Sequence, residues 1–225
     1  MTSAILLSGG VGKRMGSTTP KQYLKLQNKP LIIHSLEALL TFPNWQEIVI
    51  VCEKEYQKLF TDYSHLPLRF ALPGKERQDS VFSGLKALSK HTRWVCVHDG
   101  ARPLLQKQDL ENVIKAGMTY EAASLAVPVK MTIKEADEDL FVKKTLDRSV
   151  LWDIQTPQFL SYELFVKGHL KALAEKTILT DDVSLIESLN HPVKLVEGSP
   201  SNIKITTLDD LPLANLLLEK INYHA

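Results

Sequence analysis

The chain has 225 residues, 44% hydrophobic and 24% charged, a balance that excludes wholesale disorder and suits one α/β domain spanning residues 1–225. Twenty-seven Lys and Arg against 26 Asp and Glu leave a net charge of +1, which argues against a nucleic-acid coat or a polybasic membrane surface. An anionic ligand must therefore be held by a local cluster of cations.

Residues 4–7 are apolar and open the chain as a first strand; the segment is too short, and lacks the basic flank, for a signal peptide. Further short apolar runs follow at 48–52, 68–72, 94–98, 124–129 and 193–196. Amphipathic stretches lie between them at 31–42, 80–88, 107–116 and 162–174. Strand alternating with helix predicts right-handed crossovers and a Rossmann-like, doubly wound, mostly parallel sheet. Ligands in such folds bind at the carboxyl ends of the strands. Residues 131–151 break this rhythm: an alternating segment with an acidic turn at 136–139 predicts a β-hairpin. Such a hairpin is either a surface flap on its own sheet or an arm reaching a second subunit. Cys52 and Cys96 sit inside apolar runs and read as buried thiols, consistent with a reducing cytoplasm; no run approaches membrane-spanning length.

Four segments carry chemistry. The first strand runs into Ser8-Gly9-Gly10-Val11-Gly12-Lys13-Arg14-Met15-Gly16, a glycine loop whose backbone N–H groups can approach an anion. It is not a P-loop, because Arg14 follows Gly12-Lys13. It also lacks the third glycine of the dinucleotide fingerprint, since Met15 stands there. Arg14 offers a planar fork and Lys21, in Pro20-Lys21-Gln22, a compact charge; together they suggest a triphosphate. The second segment, Val97 to Pro103, ends a strand with Asp99, which can turn-cap or hold Mg²⁺. His98 reads as a structural histidine rather than a base. In the third, Pro73 to Val81, Asp79 or Ser80 is the expected N-cap of a helix. The fourth places Lys204 in an alternating, strand-like pattern, with Thr180 and Asp182 upstream at a possible helix start.

The ordered set GGVGKRMG, PKQYL, RQDSVFSGL, VHDGARP, TIK, LDRSVLW, QTPQ, TDDVSLIE and NIKIT resembles the 2-C-methyl-D-erythritol 4-phosphate cytidylyltransferases of the non-mevalonate isoprenoid pathway. The resemblance runs from residue 8 to about residue 210. It implies that CTP and methylerythritol phosphate give CDP-methylerythritol and pyrophosphate with a divalent cation, Mg²⁺. It further implies a cytoplasmic homodimer paired through the hairpin arm. By the same resemblance Gly9, Gly10 and Gly12 cradle the triphosphate, and Arg14, Lys21 and Lys204 stabilise the attacked α-phosphate. Gly74 and Ser80 read the cytosine, with Arg77 shaping their loop. Asp99 contacts the metal or the acceptor. Thr132 and Arg148, on the arm, hold the acceptor phosphate of a neighbouring subunit's site. Thr180 adds an acceptor contact, and Gln155 and Thr156 shape the site from nearby. The sequence departs from the family's pattern at Met131, where Asp is common, at Pro73, where Gly is common, and at Ser8, where Ala is common. Ribitol-5-phosphate cytidylyltransferase is the rival with the same nucleotide machinery. A dinucleotide-dependent, NADP-using oxidoreductase and a non-catalytic nucleotide sensor are rivals of other classes.

Overall fold

A computed structural model describes residues 1–9 and 20–224, with side chains through residue 221. Its centre is a seven-stranded sheet built from β1 (Thr2–Leu7), β4 (Trp45–Val51), β5 (Leu68–Ala71), β6 (Trp94–Asp99), β7 (Ala122–Pro128), β10 (Trp152–Ser161) and β11 (Lys194–Glu197), in the order β11-β7-β10-β6-β1-β4-β5. Every neighbouring pair is parallel except those made by β10, which runs antiparallel to β6 and to β7. The helices are α1 (Leu31–Leu40), α2 (Arg77–Ala87), α3 (Lys107–Tyr120), α4 (Tyr162–Glu175), α5 (Val183–Glu187) and α6 (Asp210–His224). Two-residue strands β2 (Lys25–Leu26) and β3 (Lys29–Pro30) form a small ribbon before α1.

Alternation along the central strands divides the core in two. Ala4 and Leu6 of β1, with Ile48 and Ile50 of β4, face Ile32, Leu36 and Leu39 of α1 and Leu110 and Val113 of α3. Ile5, Leu7, Val49 and Val51 face Val81 and Leu85 of α2 and Phe165 of α4 on the opposite side. A slip of one residue would exchange the two sets, and each buried Ile or Leu is worth roughly 1.5–3 kcal/mol, so the register is strongly fixed. A third cluster, Leu26, Leu31, Leu104, Ile205 and Ala214, fastens α6 and the segment before it to this frame.

Sequence and structure agree on the six apolar strands and four amphipathic helices, within a few residues at their ends. Three differences matter. β10 is not a short apolar run: its Gln155, Thr156 and Gln158 are polar yet buried, held by hydrogen bonds from distant segments. Helix α2 begins at Arg77 with Glu76 as N-cap, not Asp79 or Ser80; Asp79 is the third helical residue, and its carboxylate accepts from the Glu76 N–H at 3.2 Å, closing a capping box. Lys204 lies outside any strand; its segment is tied by the Ile205 N–H to the Ala101 carbonyl at 2.8 Å. The hairpin is present as β8 (Lys134–Ala136) and β9 (Val142–Thr145), a separate antiparallel pair with all its strand residues exposed.

Candidate active site

The carboxyl ends of β1 and β6 lie side by side, with Leu7 paired to Asp99. Beyond Leu7 the backbone is held from three directions. The Ser8 N–H donates to the Val51 carbonyl at 2.8 Å. The Ser8 carbonyl accepts from Gln22 Nε2 at 2.6 Å and from the Tyr23 hydroxyl at 3.1 Å. Thus the Pro-Lys-Gln-Tyr segment is fastened to the entry of the glycine loop, which sets Lys21 beside that entry. Ser8, a departure from the family pattern, adds a hydrogen bond from its own hydroxyl to Tyr23 Oη at 2.8 Å. Tyr23 is further fixed by stacking on Tyr56, ring centroids 3.6 Å apart. Gly9 packs so closely on Pro73 that a Cβ there would collide with the Pro73 ring, so the glycine loop's entry abuts the Pro73-Gly74 loop. Gly10, Gly12 and Arg14 lie outside the described residues.

In that second loop the Ser80 hydroxyl accepts from the Gly74 N–H at 3.0 Å and donates to the Glu76 carbonyl at 3.1 Å. The two residues expected to read a base are therefore adjacent and mutually bonded. Arg77, one turn earlier, points the other way. Its Nη1 and Nη2 grip both carboxylate oxygens of Asp182 at 3.0 and 2.7 Å, and its Nε reaches Asp99 Oδ1 at 3.3 Å. Lys204 Nζ meets the other Asp99 oxygen at 2.6 Å.

Arg77, Asp99 and Lys204 line a cleft of about 370 Å³ together with Arg102, Gln155, Thr156 and Thr180. Burial would raise the Asp99 carboxyl, but Arg77, Lys204 and Arg102 outweigh it and hold it well below the ordinary carboxylate range. Asp99 is thus an anion at working pH. Burial also lowers His98 to about 4, so its ring is neutral at neutral pH. Among the described residues no group of three or more His, Cys, Asp or Glu could cage a metal. The Asp99 carboxylate, in a cleft whose lining mixes Arg77, Arg102 and Lys204 with Asp153, Asp181 and Glu187, fits a Mg²⁺ ion carried on nucleotide phosphates, since Mg²⁺ takes one or two carboxylates and fills its shell with substrate oxygens and water.

Thr132 and Arg148 do not line this cleft. Both are exposed at the root of the arm, where Arg148 Nη1 donates to the Lys130 carbonyl at 2.8 Å and the Leu146 N–H closes onto Ile133 at 3.0 Å. The arm also exposes Met131, Leu140, Phe141, Val142 and Val150, each at least 60% accessible. The cleft contains two residues that sequence reasoning left without a role. Arg102, 9% exposed, donates from Nη1 to the Asn202 carbonyl at 2.7 Å. Gln158, 1% exposed, accepts the Asp182 and Val183 N–H groups at 2.9 and 3.0 Å and so caps α5 from across the cleft. Both stand in quoted motifs, but their bonds are long-range, and sequence spacing carries no trace of them.

A family model described as IspD: 2-C-methyl-D-erythritol 4-phosphate cytidylyltransferase matches residues 2–220. The chain is 47% identical over 221 residues to the rice protein named 2-C-methyl-D-erythritol 4-phosphate cytidylyltransferase, chloroplastic, covering 97% of this chain and 74% of that one. It is 42% identical to the Caldanaerobacter subterraneus protein of that enzyme name, over 97% of this chain and 99% of that one. Among solved structures, 4-diphosphocytidyl-2C-methyl-D-erythritol synthase from Anaerococcus prevotii superposes with a TM-score of 0.85 at 30% identity, covering 97% and 98% of the two chains. The Francisella tularensis 2-C-methyl-D-erythritol 4-phosphate cytidylyltransferase gives 0.84 at 29% identity, covering 96% and 99%. Sheet order, motif order and relatives thus agree over nearly the whole length, and the chain belongs to the 2-C-methyl-D-erythritol 4-phosphate cytidylyltransferase family, a family of nucleotidyltransferase enzymes.

Proposed function

We propose that this enzyme transfers the cytidylyl group of CTP to 2-C-methyl-D-erythritol 4-phosphate and releases pyrophosphate. The observation that carries the reading is the Asp99 carboxylate at the end of β6, held between Arg77 and Lys204 beside the entry of the glycine loop. The acceptor's phosphate monoester has a second pKa of about 6, so at neutral pH it is already a nucleophile and needs no base. One of its oxygens attacks the α-phosphorus of CTP in line. The bond from the α-phosphorus to the bridging oxygen breaks, and pyrophosphate leaves with the electron pair. No proton has to move, which suits a site beside which His98 is buried and neutral.

The remaining task is electrostatic: two polyanions must meet, and charge must be stabilised as the transition state forms. Lys21 acts from the glycine-loop side and Lys204 from the other, and the family resemblance adds Arg14 to them. Gly9, Gly10 and Gly12 offer backbone donors to the triphosphate, while Gly74 and Ser80 face the base. Asp99 and Thr180 orient the acceptor's hydroxyls. Asp99 would be the protein carboxylate for a Mg²⁺ ion carried on the triphosphate, which would supply further charge neutralisation.

Thr132 and Arg148 act on the acceptor phosphate in the neighbouring subunit of a homodimer. The exposed apolar side chains of the arm support this reading, since monomers rarely leave so many large hydrophobic groups together in water. The buried thiols, Cys52 driven up to about 12 by burial, support a reducing, cytoplasmic setting. Among the described residues no helix is long and apolar enough to cross a membrane.

The direct test is pyrophosphate release from CTP and Mg²⁺ with methylerythritol phosphate and, in parallel, ribitol 5-phosphate. Turnover with the first and weak turnover with the second is expected. Clear preference for ribitol phosphate would overturn the acceptor assignment, and NADPH binding without CTP binding would overturn the class.

A further inference from the structure

Four buried residues, of which Arg102 and Thr156 line the cleft, close a hydrogen-bonded ring. Asn202 Nδ2 donates to the Thr156 carbonyl at 2.9 Å. Arg102 Nη1 donates to the Asn202 carbonyl at 2.7 Å. The Arg102 carbonyl lies 3.1 Å from His98 Nε2, and His98 Nδ1 lies 3.0 Å from the Thr156 hydroxyl. His98 and Asn202 are fully buried, and Thr156 is 4% exposed.

The direction of every bond is determined. A guanidinium donates and a carbonyl accepts. Because the Arg102 carbonyl accepts, the proton of the neutral His98 ring must sit on Nε2. Nδ1 is then an acceptor, and the Thr156 hydroxyl must turn its hydrogen toward it. That leaves the Thr156 oxygen as an acceptor for a fifth group, the Asp99 N–H, at 3.1 Å. The sheet explains why this amide needs such a partner. The β6–β10 ladder ends at the Val97–Gln158 pair, and β10 shifts register between Ile154 and Gln158. Continued register would set the Thr156 carbonyl opposite the Asp99 amide, but that carbonyl is taken by Asn202. The Thr156 hydroxyl substitutes for the lost ladder bond.

The ring therefore bonds one member of the cleft's ion pair, Asp99, and anchors the segment that carries the other, Lys204. It holds the backbone of Asp99 through Thr156, and it holds Asn202, two residues before Lys204. We propose that His98 is a positioning residue for the transfer reaction: as the Nε2–H tautomer it locks the ring that sets the Asp99 carboxylate against Lys204 Nζ. This inference rests on the cytidylyltransferase reading for its kinetic consequence, but its geometry does not.

The test has two arms. With ¹⁵N-labelled histidine, the His98 signals, assigned by their loss in His98→Leu or by through-bond transfer, should show a protonated Nε2 and an unprotonated Nδ1. A protonated Nδ1 would overturn the proposal. In the kinetic arm, His98→Leu is expected to lower kcat about 10- to 100-fold while KM for CTP stays within about threefold, the size of loss that small misplacement of reacting groups brings. His98→Asn, whose Oδ1 can accept the Thr156 hydroxyl, should recover part of that loss. Turnover is scored per folded molecule. A His98→Leu enzyme with wild-type kcat, or His98→Asn no better than His98→Leu, would contradict a positioning role and leave His98 as packing. If neither variant folds, the wild-type tautomer decides. Failure of the cytidylyltransferase reading would appear separately, as wild-type enzyme that releases no pyrophosphate while the tautomer signal is unchanged.

Discussion

Lys204 Nζ lies 2.6 Å from Asp99 Oδ2, although 105 positions separate the two residues and neither neighbouring segment pairs with the other in the sheet. Arg77 still faces the Asp99 carboxylate from its other oxygen, so removing Lys204 does not strand a buried anion. Lys204→Met should therefore cost little stability and much activity: urea unfolding within about 1 kcal/mol of wild type, and kcat down by about 10²-fold or more. A large loss of stability with normal turnover per folded molecule would make Lys204 a structural residue.

Lys21 is delivered to the glycine loop by its neighbours, with Gln22 and Tyr23 both bonded to the Ser8 carbonyl. In the proposed mechanism its charge acts chiefly as negative charge grows on the phosphate oxygens. Lys21→Ala is expected to reduce kcat by about 10²-fold while KM for CTP changes by less than about fivefold. Initial-rate kinetics at saturating acceptor separates the two; a rise in KM at unchanged kcat would assign Lys21 to binding alone.

Arg148 sits on the exposed arm rather than in the Asp99 cleft of its own chain. Arg148→Ala should raise KM for the acceptor about tenfold or more and leave KM for CTP near wild type. If the arm works on a neighbouring site, heterodimers of Arg148→Ala with Lys204→Met should regain activity, because one of the two sites has both an intact cleft and an intact arm. Verified heterodimers as inactive as either parent would rule out sharing.

His169 is 3% exposed, packed against Phe82 and Phe165 with ring centroids 5.0 and 4.7 Å away, and its Nε2 has no hydrogen-bond partner among the described residues. Burial lowers it from 6.5 to about 4. The unfolded chain takes up a proton below about pH 6.5, whereas the folded chain does not until about pH 4. Its contribution is therefore present above pH 6.5 and lost as the pH falls through that window, by about 2 kcal/mol at pH 5. Urea unfolding of wild type and His169→Leu at pH 8 and pH 5 checks this. The variant should lose less stability between the two pH values, and identical losses would remove His169 from the account.

How far the sequence speaks depends on the range of the forces involved. The strands at 4–7, 48–52 and 94–98 are legible because an unbroken apolar run is the local pattern that two covered faces impose. Asp99, Lys204 and Thr180 were legible through motifs, and the cleft does gather them. β10 was not, since Gln155, Thr156 and Gln158 look like loop residues until their partners at Asn202, Asp181 and Asp182 come from elsewhere in the chain. The N-cap of α2 was misjudged because Glu76 and Asp79 cap reciprocally, and sequence alone favours the better single capper. His98 was legible as buried and structural, yet its bonds to Arg102 and Thr156 could not be read from Val-His-Asp.

The proposed mechanism requires cations from separate stretches to converge where CTP and the acceptor phosphate meet. A crystal structure of the enzyme with CDP-methylerythritol bound tests it most directly. The expected result is a diphosphate between Lys21 and Lys204, within hydrogen-bond reach of both, with Asp99 beside it. A product whose diphosphate lies away from these side chains, or which occupies a different cleft, would contradict it.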